Sequence, residues 1–116
     1  MGLSICRIAR AAAAALALLA AAAVAHAGMG WTELAATDDL GPVTVHYPTD
    51  EADRPTPVGP FVLELAAAAR PVRGNGRLVV VSHGTGGATW VHAELARELV
   101  RAGFVVALPL HRADNF

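Results

Sequence analysis

The stretch Leu78-Val-Val-Val-Ser-His-Gly-Thr-Gly-Gly87 constrains the fold more than any other part of the chain. Leu78 to Val81 is apolar at every position, which suits a strand buried on both faces of a parallel sheet. A glycine cluster follows at His83, and a helical pattern follows the glycines. That order describes a strand whose carboxyl end turns sharply into a helix, the edge of an open α/β sheet where ligands bind. Gly84, Gly86 and Gly87 allow positive φ and close approach to the main chain. Backbone N–H groups at such a turn are aimed at negative charge, so the segment reads as an anion site or an oxyanion hole.

The flanking sequence supports an α/β fold class. Residues from about Ala88 to Ala102 predict a helix, with Thr85 or Thr89 as N-cap and Val91, Leu95 and Leu99, beside Ala96 and Val100, as its apolar face. Glu94/Arg97 and Glu98/Arg101 have i,i+3 spacing, and Gly103 stands where a left-handed cap residue belongs. Phe104 to Leu110 reads as a second buried strand, completing a right-handed βαβ unit with both sheet faces covered. Upstream, Gly28 to Pro42 reads as a surface lead-in. Val43 to Tyr47 alternates and reads as a strand closed by Pro48. Thr49 to Pro60, with Pro55 and Pro57, reads as a polar loop, and Phe61 to Leu65 as a second strand. Ala66 to Ala69 is ambiguous, because its alanines favour helix while Pro71 ends one quickly, and Arg73-Gly-Asn-Gly76 has turn chemistry.

Residues 1–27 read as a secretory signal peptide. Arg7 and Arg10 form a positive start, Ala11 to Val24 an apolar core, and Ala25-His26-Ala27 a small-x-small cleavage site. A retained anchor helix is the alternative, but the run is shorter than the ~20 residues that span a bilayer. The single cysteine, Cys6, precedes the apolar core, so cleavage leaves no disulfide and no thiol nucleophile. The expected location is periplasmic or secreted, with no membrane contact after cleavage. The net charge of −1 argues against a nucleic-acid partner. The sequence stops six residues after Leu110, where a parallel strand would lead into a helix. The chain therefore reads as the N-terminal portion of a longer α/β domain, or as a truncated product, spanning 28–116.

Three chemistries suit a glycine turn. A P-loop needs a lysine after its glycines, and none follows here. Gly84-Thr-Gly-Gly-Ala-Thr89 meets two of the three glycines of a dinucleotide fingerprint, and Asp114 follows the next strand, about where such a fold carries its ribose-binding acid. Against that reading, two strands precede the motif, and a nicotinamide is an unsuitable ligand for an exported protein. An oxyanion hole fits better. Nucleophile-elbow hydrolases take one donor from a His-Gly-rich loop after an early strand, and His83-Gly-Thr-Gly-Gly87 has that composition.

At these residues the chain resembles the α/β-hydrolases, in the dienelactone hydrolase-like branch that includes the platelet-activating-factor acetylhydrolase group. The resemblance rests on Leu78 to Gly87, Ala102-Gly-Phe-Val-Val-Ala107, Pro109-Leu-His111 with Asp114-Asn-Phe116, and Val45-His-Tyr-Pro48, and covers about residues 40–116. It implies an oxyanion donor at the Thr85 backbone N–H, with His83, Gly84, Gly86 and Gly87 supporting the loop. It implies no cofactor, and a small ester or lactone as substrate. Family members often carry Asp-His after the proline of the second strand, whereas this chain has Leu110-His111. No Gly-x-Ser-x-Gly occurs in the sequence, so the nucleophile, acid and base fall outside it and the chain alone is expected to be inactive. A non-catalytic exported module that binds an anion or partner through the turn remains the alternative.

The other polar residues read more simply. Ser82 and His83 are adjacent on a strand, so they point to opposite faces and form no nucleophile–base pair. His83 reads as a structural histidine, and His46, His92 and His111 lack metal-ligand spacing. Trp90 reads as packing over the glycine turn. Asp50, Glu51 and Asp53 read as a solvated loop.

Overall fold

The computed structural model describes residues 28–113. The leader expected at 1–27 and the acid considered at Asp114 lie outside the described residues. Within them, six strands form one mixed sheet: β1 (Gly28–Leu34), β2 (Val43–Thr49), β3 (Arg54–Val58), β4 (Phe61–Ala67), β5 (Leu78–Val80) and β6 (Val105–Pro109). One short helix, α1 (Ala93–Arg101), connects β5 to β6. The order across the sheet is β3-β4-β1-β2-β6-β5. β2 runs antiparallel to both β1 and β6, while β5 and β6 are parallel in the register Leu78↔Val105, Val79↔Val106, Val80↔Ala107.

Two strands form where the sequence reads as loop. Residues 28–34 pair with β2 along their whole length, from Gly28↔Thr49 to Leu34↔Val43. The Tyr47 ring occupies the place a side chain at Gly30 would take, which is why a glycine stands in that strand. β3 carries Pro55 and Pro57, yet it pairs with β4 from Arg54↔Leu65 to Val58↔Phe61. It is an edge strand, and alternate residues direct their nitrogens to the same side. Both imide nitrogens therefore face the unpaired edge, where no N–H is needed. Gly59, at φ 57°, makes the tight turn into β4. The ambiguous alanines belong to β4 as far as Ala67, and Ala68 turns the chain at φ 53°.

The helix is shorter than its pattern. Residues 88–92 form turns, with Val91 N–H donating to the Ala88 carbonyl and Ala93 N–H to that of Trp90. The N-cap is His92 without a side-chain cap bond, so neither Thr85 nor Thr89 serves. The buried helix positions are Ala93, Ala96 and Val100, while Val91 and Leu95 are exposed. Small residues face the sheet, which lets the helix lie close to it. The C-terminus follows its sequence signal. Gly103 has φ 89°, its N–H donates to Val100 and that of Phe104 to Leu99, a Schellman closure. Asn75 seals this end by donating its side-chain amide to the Ala102 carbonyl and its backbone N–H to that of Gly103. Glu98 pairs with Arg101 as spaced, but Arg97 turns to Asp53 at 2.7 Å.

The core is Met29, Leu65, Ala96, Val100, Val106 and Leu108, between the sheet and α1. On the opposite face of the sheet, Leu78 and Val80 are each 62% exposed. The expectation that both faces of this βαβ unit are covered is therefore met on one face only among the described residues. Strand alternation sends Val106 and Leu108 to the helix and Leu78 and Val80 away from it. The architecture is a mostly-β mixed sheet with one short helix.

Candidate functional site at the carboxyl ends of β5 and β6

Because β5 and β6 are parallel and in register, the segments leaving them emerge side by side. Ser82 to Gly87 leaves β5 and Leu110 to Ala113 leaves β6. The two segments are joined through His83, which is buried. The His111 backbone N–H donates to His83 Nε2 at 3.0 Å, so Nε2 is an acceptor. Nδ1 then carries the proton and donates to the Gly84 carbonyl at 2.8 Å. Both ring nitrogens are engaged in holding the loop, and neither is available to take a proton from a substrate. The His111 ring packs against that of His83 with centroids 4.6 Å apart.

The glycines have separate roles. Gly86 has φ 65°, and a side chain at Gly87 would collide with the Gly84 carbonyl and the His83 side chain, both 2.8 Å from its Cβ position. A side chain at Gly84 would meet nothing within 4 Å. Gly87 N–H closes the turn onto the Gly84 carbonyl at 2.9 Å. Thr85 is exposed at the tip, and among the described residues nothing accepts its backbone N–H. A rigid turn thus presents a main-chain donor to solvent at the carboxyl end of a strand.

The structure adds a contact that the sequence reading lacks. Ser82 Oγ lies 2.7 Å from His111 Nε2. Ser82 and His83 lie just beyond the end of β5, and both meet His111: its main chain donates to His83, and its ring lies against the His83 ring and within 2.7 Å of Ser82 Oγ. The signal that would have found it is the parallel register, which sets the residues just beyond β5 beside those just beyond β6.

The remaining candidates lie elsewhere. His92 caps α1. His46 of β2 is 2% exposed and its Nδ1 has no partner. Burial lowers its pKa to about 4, a hydrogen bond to the Gly30 main chain works the other way, and Arg97 adds to the lowering, so this imidazole is neutral. Trp90 packs on Gly59 at the β3–β4 turn rather than on the glycine turn. There it borders an apolar groove of about 480 Å³ with Phe61, Leu63, Val91 and Leu95. Glu51 and Asp53 are not simply solvated. Glu51 Oε1 accepts the Arg70 N–H, and Asp53 accepts the Met29 N–H as well as Arg97.

Among the described residues, no cluster of histidine, cysteine, aspartate and glutamate is placed to hold a metal ion, and no helix is long and apolar enough to cross a membrane. Comparison with protein-family models, with curated proteins and with solved structures gives no significant match.

Proposed function

We propose that this is an exported α/β-hydrolase-like protein that hydrolyses a carboxylic ester or lactone, and that the His83–Gly87 turn supplies one donor of its oxyanion hole. The observation that carries the reading is the Thr85 N–H, unpartnered and exposed on a turn pinned by His83 and Gly87. A carbonyl oxygen placed on that N–H gains most as it becomes an oxyanion, because a fixed donor needs no reorganisation at the moment of reaction. The β5-α1-β6 unit with the turn after its first strand is the context that the sequence resemblance requires. The nucleophile, acid and base come from outside residues 28–113. The edge of β5 that no described strand pairs is where a further parallel strand would bring its own carboxyl end beside Thr85. His83 keeps the turn rigid, and no cofactor takes part.

Backbone and side-chain substitutions at Thr85 in the full-length protein separate this reading from a binding role. Thr85→Val keeps the N–H and leaves kcat within a few-fold. Thr85→Pro deletes the N–H and lowers kcat by ~10²–10³, the usual cost of one oxyanion donor, in protein whose circular dichroism is unchanged. Near-normal kcat in folded Thr85→Pro contradicts the assignment. Damage from Thr85→Val instead would make the hydroxyl the working group and favour a module that binds an anion through the turn.

A further inference from the structure

Gly28 opens β1 and is half-buried. The space a side chain would need there is filled. A Cβ would lie 2.5 Å from Asp53 Oδ1 and 3.2 Å from the Asp53 nitrogen, and it would also run into the Glu51 carbonyl oxygen. Glycine is required at this position by lack of room. The two oxygens lie a few tenths of an ångström inside the ~2.7–2.9 Å of a charged hydrogen bond, so a nitrogen bonds them there after a small shift of a freed chain end, which a side chain held by the strand backbone cannot make. While the peptide bond to Ala27 is intact, the Gly28 nitrogen is fixed in the chain. Once that bond is cut, rotation about Cα–C exchanges the substituents of Cα and carries the nitrogen to where the Cβ would be.

We propose that cleavage between Ala27 and Gly28 creates an α-ammonium group that binds in a ready-made site formed by the Asp53 carboxylate and the Glu51 main-chain carbonyl. The cut rests on the export reading, with a signal peptidase and water as co-reactants. Water adds across the C–N bond, leaving a carboxylate on Ala27 and an ammonium on Gly28. The site rests on geometry alone. Asp53 is already ordered, with Oδ1 accepting the Met29 N–H at 2.7 Å and Oδ2 accepting from Arg97 Nη1 at 2.7 Å. Its side chain is 18% exposed, so little ordering cost falls on the arriving group. The charged side chains on the elements around Gly28 are Glu33 of β1, Asp50, Glu51 and Asp53 of the β2–β3 loop, Arg54 at the start of β3, Glu64 of β4, and Glu94, Arg97, Glu98 and Arg101 of α1, with His46 of β2 neutral. Carboxylates outnumber cations there, which favours a further positive charge. The bound terminus ties β1 to the β2–β3 loop and, through Arg97, to α1. A chain that retains its leader lacks this tie.

The test compares full-length protein beginning at Gly28 with the same protein beginning at Ala27, both released from an N-terminal fusion. The pH dependence of Nα-acetylation by acetic anhydride, read by mass spectrometry, gives the amine pKa. In the Gly28 form the folded protein's amine titrates about one unit, or tenfold, above the same chain in urea, whose value lies near the ordinary ~7.7–8.0. The Gly28 form also melts higher than the Ala27 form. A cation whose folded pKa is raised stabilises fully below its unfolded pKa, so this excess is present at pH 7 and disappears as pH rises through the folded value. Asp53→Asn returns the amine to its value in urea. Should that variant not fold, the folded-against-urea comparison in the unchanged sequence still decides. An amine that titrates alike folded and in urea, or equal melting of the two forms at pH 7, overturns the site. Exported material whose first residue is not Gly28 overturns the proposal through the export reading alone.

Discussion

His83 and His46 are both buried, and their different surroundings give them different uses. His83 has a donor and an acceptor for its two nitrogens, so burial costs it little and its ring becomes a brace between two loops. His46 keeps an unpartnered Nδ1 and a depressed pKa. Its unfolded form takes a proton below about pH 6.5, whereas its folded form stays neutral down to about pH 4. Between those values the unfolded state binds more protons, so stability is complete above pH 6.5 and is lost as pH falls towards 4. The loss at the bottom of the window is about 3 kcal/mol, at 1.36 kcal/mol per unit. Urea unfolding at pH 7 and pH 4.5 should show this slope in the native sequence and a shallower one in His46→Leu. The turn glycines make a sharper residue-scale prediction. Gly87→Ala forces a methyl onto the Gly84 carbonyl and His83, and should cost about 1–3 kcal/mol as overpacking. Gly84→Ala meets open space and should shift the melting temperature far less. Thermal unfolding of the two variants side by side checks the order.

Among the elements, the clearest contrast is between the two ion pairs of α1. Arg101–Glu98 is exposed, at 64% and 66%, and links two side chains of one helix. Arg97–Asp53 is mostly shielded and joins α1 to the chain before β3, while Asp53 also holds the start of β1 through the Met29 N–H. Glu98→Ala should cost under ~0.5 kcal/mol and Asp53→Ala about 1.5–3 kcal/mol, the range for hydrogen bonds to a charged group. Chemical denaturation at neutral pH distinguishes them, and equal costs would mean that Asp53 does not couple the elements. The elements also show why parts of the chain were readable. The β5-α1-β6 unit was, because continuous apolar runs, a glycine turn and Gly103 all agree. β3 was not, because Pro55 and Pro57 signal a loop unless the strand is known to lie at an edge. β1 was not, because Gly28 and Gly30 answer to Asp53 and Tyr47, partners that only the tertiary structure supplies. The early start of α1 was over-read, since Thr85 and Thr89 are acceptable caps in sequence but 88–92 turn without forming helix.

At the scale of the whole molecule, the two edges of the sheet differ. The β3 edge carries prolines that block pairing, whereas β5 is three residues long, has no such guard, and exposes Leu78 and Val80 beside the glycine turn. The turn itself was legible as a motif. The brace behind it was not, since His111 reaches Ser82 and His83 only once the strand register is known. The proposed chemistry depends on that brace holding Thr85 where an oxyanion forms. The most direct measurement is a crystal structure of the full-length protein carrying a boronate or phosphonate adduct that mimics the tetrahedral intermediate. The account predicts the adduct oxygen on the Thr85 nitrogen at ~2.7–3.1 Å, with the His83 bonds to Gly84 and His111 intact. An adduct oxygen held by other donors, with the Thr85 N–H pointing to solvent, would contradict it.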